Sequence, residues 1–216
     1  KQEILTVRDQ CLEHLGPHHE VTLNAINEVV VLLVEEGRLA EAETECRALL
    51  AAYLEQLSEL STSVAKTHLA LGSILLEQQQ YDSAREEIEL ALTANRSIWG
   101  EVHPMVLRCR ITLATIQLNL GERQAAIENL RECQELADKH LGEDHIVALL
   151  AAHNRASIFL QLDLPQEALP LLEEVVKRQT RVMGPANPET LVSLNNLAGA
   201  HHELGNVERS VQLLET

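Results

Sequence analysis

The sequence predicts an all-α fold: a solenoid of antiparallel helix pairs stacked one on the next. Three observations lead there. A 42-residue register runs through the chain, with Gly16, Ser58, Gly100, Gly142 and Gly184 at one position. Gly37, Gln79, Gly121, Asp163 and Gly205 share a second, and Ala42, Ala84, Ala126, Ala168 and Ser210 a third. Within each period the apolar residues keep helical spacing, as at Leu23, Ile26, Val30 and Leu33, and again at Leu113, Ile116 and Leu120. Hydrophobic residues make up 45% of the chain but aromatic residues only 2%. The core must therefore be built from Leu, Ile, Val and Ala, which suits close helix packing better than a β-sandwich. One helix pair cannot bury its apolar faces alone, whereas a stack of pairs can.

The elements follow in order. Residues 1–15 read as the second helix of a truncated preceding unit, because His14-Leu15-Gly16 repeats His140-Leu141-Gly142. Units then run 16–57, 58–99, 100–141, 142–183 and 184–216, the last stopping inside its second helix. A piece of a longer array, or of a larger protein, is expected. In each unit a first helix follows a polar loop, and Pro104 and Pro188 stand at its start, where a missing N–H costs nothing. It ends near Gly37, Gly121 and Gly205, residues suited to the left-handed conformation that terminates helices. The second helix continues to Leu57, Trp99, Leu141 or Met183. The valine-rich run 29–34 has strand propensity, but the register predicts helix. Pro170 falls inside a second helix and predicts a lost i→i−4 bond and a kink.

A net charge of −16 argues against nucleic acid or an anionic membrane as partner, since both need a basic footprint. The four cysteines, at 11, 46, 109 and 133, form no CxxC pair. Cys46, Cys109 and Cys133 take register positions filled elsewhere by Leu, Ile, Ala, Thr or Val, so they are expected to pack as small hydrophobes. That usage fits a reducing compartment, and a cytoplasmic location is expected. No run of residues is apolar for long enough to span a bilayer.

The ten histidines, including His18-His19, His140, His145 and His201-His202, lack the spacing of a metal site. No GxSxG, phosphate-cradling loop or Cys–His pair recurs in the register. No catalytic residue, metal ligand or cofactor is therefore expected. Arg155 is the oddest residue, standing where the register has Val29, Leu71, Leu113 and Leu197. It is expected to snorkel outward or to pair with an acid such as Asp163.

The pattern resembles the tetratricopeptide repeat in a 42-residue form with lengthened helices. The family's small residue in the first helix corresponds to Gly72, Ala114, Ala156 and Ala198, with Val30 departing from it. Its small residue at the helix crossing corresponds to Ala42, Ala84, Ala126, Ala168 and Ser210. The kinesin-light-chain version carries a G-x-x-H-P…T-L-N-N-L-A…G phrase, echoed by Gly100, His103 and Pro104 and by TLVSLNNLA at 190–198. The resemblance implies a right-handed superhelix that binds a protein or peptide in a concave groove lined by the first helices, without catalysis.

Three lines of first-helix residues recur at helical spacing and should face that groove. Asn24, Lys66 and Arg108 lie on the first, Asn27, Leu69, Ile111, His153 and Asn195 on the second, and Ser73, Thr115 and Ser157 on the third. Lys66 and Arg108, beside Leu69, Ile111, Ser73 and Thr115, make a mixed basic and apolar strip suited to an extended peptide with carboxylates and an apolar anchor. Pairing of Lys66 and Arg108 with acids of the same array is the competing expectation. Asn27, Asn195 and Asn196 match asparagines that, in kinesin-light-chain-like repeats, hold a peptide backbone. The function expected is a non-enzymatic scaffold or regulatory module. Self-association through uncapped apolar ends is one alternative, and a sensory arm of a larger signalling enzyme or transcription regulator is another.

Overall fold

The computed structural model describes residues 2–215; Lys1 and Thr216, the outer ends of the first and last segments named above, lie outside the described residues. Among the described residues eleven helices follow one another: α1 (Gln2–Leu15), α2 (Glu20–Glu35), α3 (Leu39–Gln56), α4 (Thr62–Glu77), α5 (Tyr81–Trp99), α6 (Pro104–Asn119), α7 (Arg123–His140), α8 (Ile146–Gln161), α9 (Pro165–Met183), α10 (Pro188–Glu203) and α11 (Val207–Leu214). No strand occurs among the described residues. The valine-rich run 29–34 lies within α2, and α9 continues through the exposed Pro170.

The turns show why the register carries the fold. After each even-numbered helix the chain closes the same way, as at Gly37, whose N–H bonds to the Val34 carbonyl while Arg38 N–H bonds to Leu33, both at 2.9 Å. These crossed bonds satisfy carbonyls that the helix end leaves open, and they need positive φ at the middle residue. Gln79 and Asp163 hold that position without being glycine, at φ 63° and 56°, and make the same two bonds. The turn is thus imposed by its neighbours even where the residue itself resists it.

The starts of these helices are capped by side chains that the sequence pattern had left as loop residues. His19, His103 and His145 each accept a backbone N–H through Nδ1 at 3.2 Å. Ser61 caps α4 through its hydroxyl, and Asn187 caps α10 at 2.9 Å. Each cap satisfies an orphan donor, and those of Ser61 and Asn187 contribute about 1 kcal/mol each.

The chain divides into two compact units, one ending at Ile116 and the other beginning at Gln117. In the first, α1 packs on α2, α2 on α3, α3 on α4 and α4 on α5. Leu23, Ile26, Leu49 and Ala52 form one cluster of its core. Gly72 on α4 marks a close crossing, since a Cβ there would lie 2.6 Å from Ile88 Cδ1 on α5. In the second unit α7, α8, α9, α10 and α11 pack each on the next, and α8 also touches α10. Ala156, Ala168, Leu172, Leu197, Ala198 and Leu213 form a core there. Exchange of apolar contacts between neighbours in sequence is how a helical solenoid is held together.

The cysteines behave as packing residues. Cys46, Cys109 and Cys133 are buried, Cys11 is partly exposed, and no disulfide joins the four. Burial pushes the Cys46 thiol up to about 12 and the Cys109 thiol up to about 11.

Candidate functional site: the outward strip of the even-numbered helices

In the first unit the strip is set out by α2, α4 and α6. Helical spacing of three and then four residues places Asn24, Asn27 and Val31 on one side of α2, and all three are exposed. On α4 the same spacing gives Lys66, Leu69 and Ser73. Lys66 is exposed and Leu69 half-buried, while the Ser73 hydroxyl donates to the Leu69 carbonyl at 2.9 Å. On α6 it gives Arg108, Ile111 and Thr115. Arg108 is exposed, and the Thr115 hydroxyl donates to the Ile111 carbonyl at 3.3 Å.

Two features of this strip differ from the sequence expectation. Ile111 is withdrawn into the core at 4% exposure, so it offers a guest little surface. Its neighbour in the register, Leu69, keeps part of its side chain available. The competing expectation for the cations also fails. Lys66 and Arg108 have no carboxylate partner among the described residues, whereas Arg38, Arg47, Arg131 and Arg178 all hold one. In a chain this acidic, two exposed cations at the same register position thus stand without an acid of their own.

The second unit builds something else from the same register. Ser193 Oγ lies 2.8 Å from His153 Nδ1, His153 Nε2 lies 3.5 Å from Ser157 Oγ, and Asn196 Nδ2 donates to Ser157 Oγ at 3.2 Å. This polar chain bridges α8 and α10. Ser193 is fully buried, and burial pushes the His153 imidazole below its ordinary range against the weaker opposing pull of Glu189. The imidazole is therefore neutral at pH 7, with one nitrogen accepting and the other donating. His153, Ser157 and Asn196 are thus brought together and largely occupied by each other. Asn195 alone of the expected second-unit residues is exposed without a partner among the described residues. Ser193 was missed. Its register mates are Ala25, Thr67, Cys109 and Ala151, and its signal was a polar residue beside His153 where others are mostly apolar.

Arg155 is half-buried and lies within the electrostatic reach of Glu135 and Asp138 rather than of Asp163. Its Nε is buried without a hydrogen-bond partner, and burial lowers its pKa while Glu135 and Asp138 oppose that. Asp163 is exposed and occupied with the turn after α8. Among the described residues no three His, Cys, Asp or Glu side chains are grouped to hold a metal ion. None of their helices is long and apolar enough to cross a membrane.

Comparison with known proteins places this architecture. The family model for the tetratricopeptide repeat matches residues 63–139 and 147–216, more than half of the chain. No curated protein matches the chain. Among solved structures, a kinesin-light-chain-like protein of nearly identical TPR-like repeats from Podosopora anserina is 25% identical. It covers 89% of this chain and 91% of its own, with a TM-score of 0.72. BtubC (BKLC) from P. vanneervenii is 17% identical over 99% of this chain and 87% of its own, with a TM-score of 0.75. A Rap protein solved with Competence and Sporulation Factor is 10% identical, with a TM-score of 0.78. That match covers 99% of this chain and 59% of the Rap protein. The two latter likenesses are of fold alone. On the matched residues and the solved repeats together, the chain belongs to the tetratricopeptide-repeat family, with repeats of the kinesin-light-chain kind and the helical solenoid that they build.

Proposed function

We propose that the chain is a non-enzymatic binding module, a scaffold or regulatory piece with the 42-residue segments as its units. In this reading the first unit takes an extended peptide along the strip of α2, α4 and α6. Lys66 and Arg108 meet carboxylates of the guest, Leu69 and Val31 receive an apolar side chain, and Asn24 and Asn27 hold its backbone. An amide suits that last task because it both donates and accepts. The observation that carries the reading is the pair of exposed cations without an intramolecular partner. An ion already paired within the fold must give up that partner before it can bind a guest, whereas these two need shed only water. In the second unit the expected positions are less available, because His153, Ser157 and Asn196 are spent on holding α8 to α10.

The test is a titration of the protein with a short peptide bearing glutamates around one leucine, followed by anisotropy. Each lost charge-assisted bond is worth roughly 1–2 kcal/mol, so Lys66→Glu with Arg108→Glu should weaken binding about a hundredfold. Both side chains are exposed, and the helical circular dichroism should not change. Equal affinity in the double variant would remove the strip from consideration.

A further inference from the structure

The first unit carries a second concave feature, on another side of α4. Lys66 and His68 are two residues apart, so their side chains leave the helix about 200° apart around its axis. On the His68 side lies a cavity of about 250 Å³, lined by Leu54 of α3, Glu59 and Leu60 of the following loop, His68, and Leu90, Thr93 and Ala94 of α5. It is smaller than sites that enclose whole cofactors or drug-sized ligands, and it has room for one large side chain. Leu54, Leu60 and Leu90 are all exposed. Three exposed leucines around one hollow are a patch, which single scattered apolar residues are not.

The segments that line this notch are acidic, with Arg85 and Arg96 just outside them and Arg47 of α3 at 3.8 Å from Glu87. Residues 50–61 and 86–95, which supply its leucines, contain Glu55, Glu59, Glu86, Glu87 and Glu89 and no lysine or arginine. Glu55 is engaged by His18 at 3.1 Å, and Glu87 by His68 Nδ1 at 2.6 Å. Glu59, Glu86 and Glu89 have no cationic partner among the described residues.

We propose that this notch is a second docking site, for a protein segment that inserts one aliphatic or aromatic side chain and carries lysine or arginine on either side of it. The inserted side chain covers Leu54, Leu60 and Leu90, and the flanking cations meet Glu59, Glu86 and Glu89. The choice of occupant rests on charge complementarity. A second copy of this chain brings a net charge of −16 to an acidic rim, and an acidic peptide belongs instead on the Lys66 side. The two sides of α4 thereby select guests of opposite charge, and one chain can hold both at once.

The experiment uses protein labelled at the leucine methyl groups, titrated in a nuclear magnetic resonance spectrometer with a short peptide carrying one leucine between lysines. Two control peptides replace the leucine by alanine or the lysines by glutamate. Shifts centred on Leu54, Leu60 and Leu90 with the first peptide, and weak or none with either control, are the expected result. Leu60→Ser and Leu90→Ser change exposed side chains, keep the fold, and should each weaken binding about tenfold. Glu59→Lys should weaken it as well, while the Lys66→Glu/Arg108→Glu variant should bind this peptide as the parent does. Shifts centred on Leu69, or none that saturate, would overturn the proposal. So would notch signals that move with protein concentration alone, since a second copy would then be the occupant.

Discussion

Gly72 offers the sharpest test of how the repeats are packed. A Cβ at this position would stand 2.6 Å from Cδ1 and 2.7 Å from Cγ1 of Ile88, and 3.3 Å from the Ala84 carbonyl oxygen. Ile88 is fully buried, so it cannot swing out into water. The register holds Ala114 and Ala156 at the equivalent position, opposite Leu130 and Leu172, whose branching begins one carbon further out. Glycine and a β-branched partner therefore read as a matched pair. In an exposed helix Gly72→Ala would stabilise by about 1 kcal/mol through propensity alone. Here overpacking costs about 1–3 kcal/mol, and the variant should be net destabilised by roughly 1 kcal/mol. With Ile88→Ala as background the obstruction is gone, and the same Gly72→Ala change should stabilise by about 1 kcal/mol. The sign reverses, giving a coupling on the order of 2 kcal/mol. Urea unfolding followed by circular dichroism reads the helices, and the single tryptophan, Trp99 at the end of α5, reports on the same unit. Stabilisation by Gly72→Ala in the parent chain would refute the packing argument outright.

Three further expectations follow from the same geometry. Gln79 holds φ 63° in a turn that favours glycine, so Gln79→Gly should stabilise by about 1 kcal/mol in the same urea assay, with no change in helix content. A thiol reagent near pH 8 should modify Cys11 quickly and Cys46, Cys109 and Cys133 only on unfolding, because burial leaves those three inaccessible and holds Cys46 and Cys109 protonated. His153 has its pKa lowered by burial, so below its ordinary value of 6.5 the unfolded chain binds a proton before the folded one does. Its contribution should be complete above pH 6.5 and fall away as the pH drops below that value and through the lower folded-state value, and His153→Gln should flatten this part of the stability–pH curve.

Much of the architecture was legible because it is local and repeated. A turn that needs positive φ recurs every 42 residues, and the register located it even at Gln79 and Asp163, where residue type argued against it. The histidines were legible only as lacking the spacing of a metal site. That His19, His103 and His145 cap helices through Nδ1 depends on an imidazole reaching the same N–H that a serine or asparagine reaches elsewhere. The candidate strip was legible as a set of positions, since spacing alone decides which residues share a helix face.

What the sequence by itself determined is therefore the helical class, the period, the turns and the order of the elements, because each is settled within a few residues along the chain. Tertiary structure alone decided how far each side chain emerges and what it meets. It withdrew Ile111, left Lys66 and Arg108 without acids, joined Ser193, His153, Ser157 and Asn196 into one chain, and opened the notch beside His68. Those outcomes turn on distances between helices that lie about forty residues apart, and a helical repeat fixes the angle of a side chain around its own axis but not the gap to its neighbour.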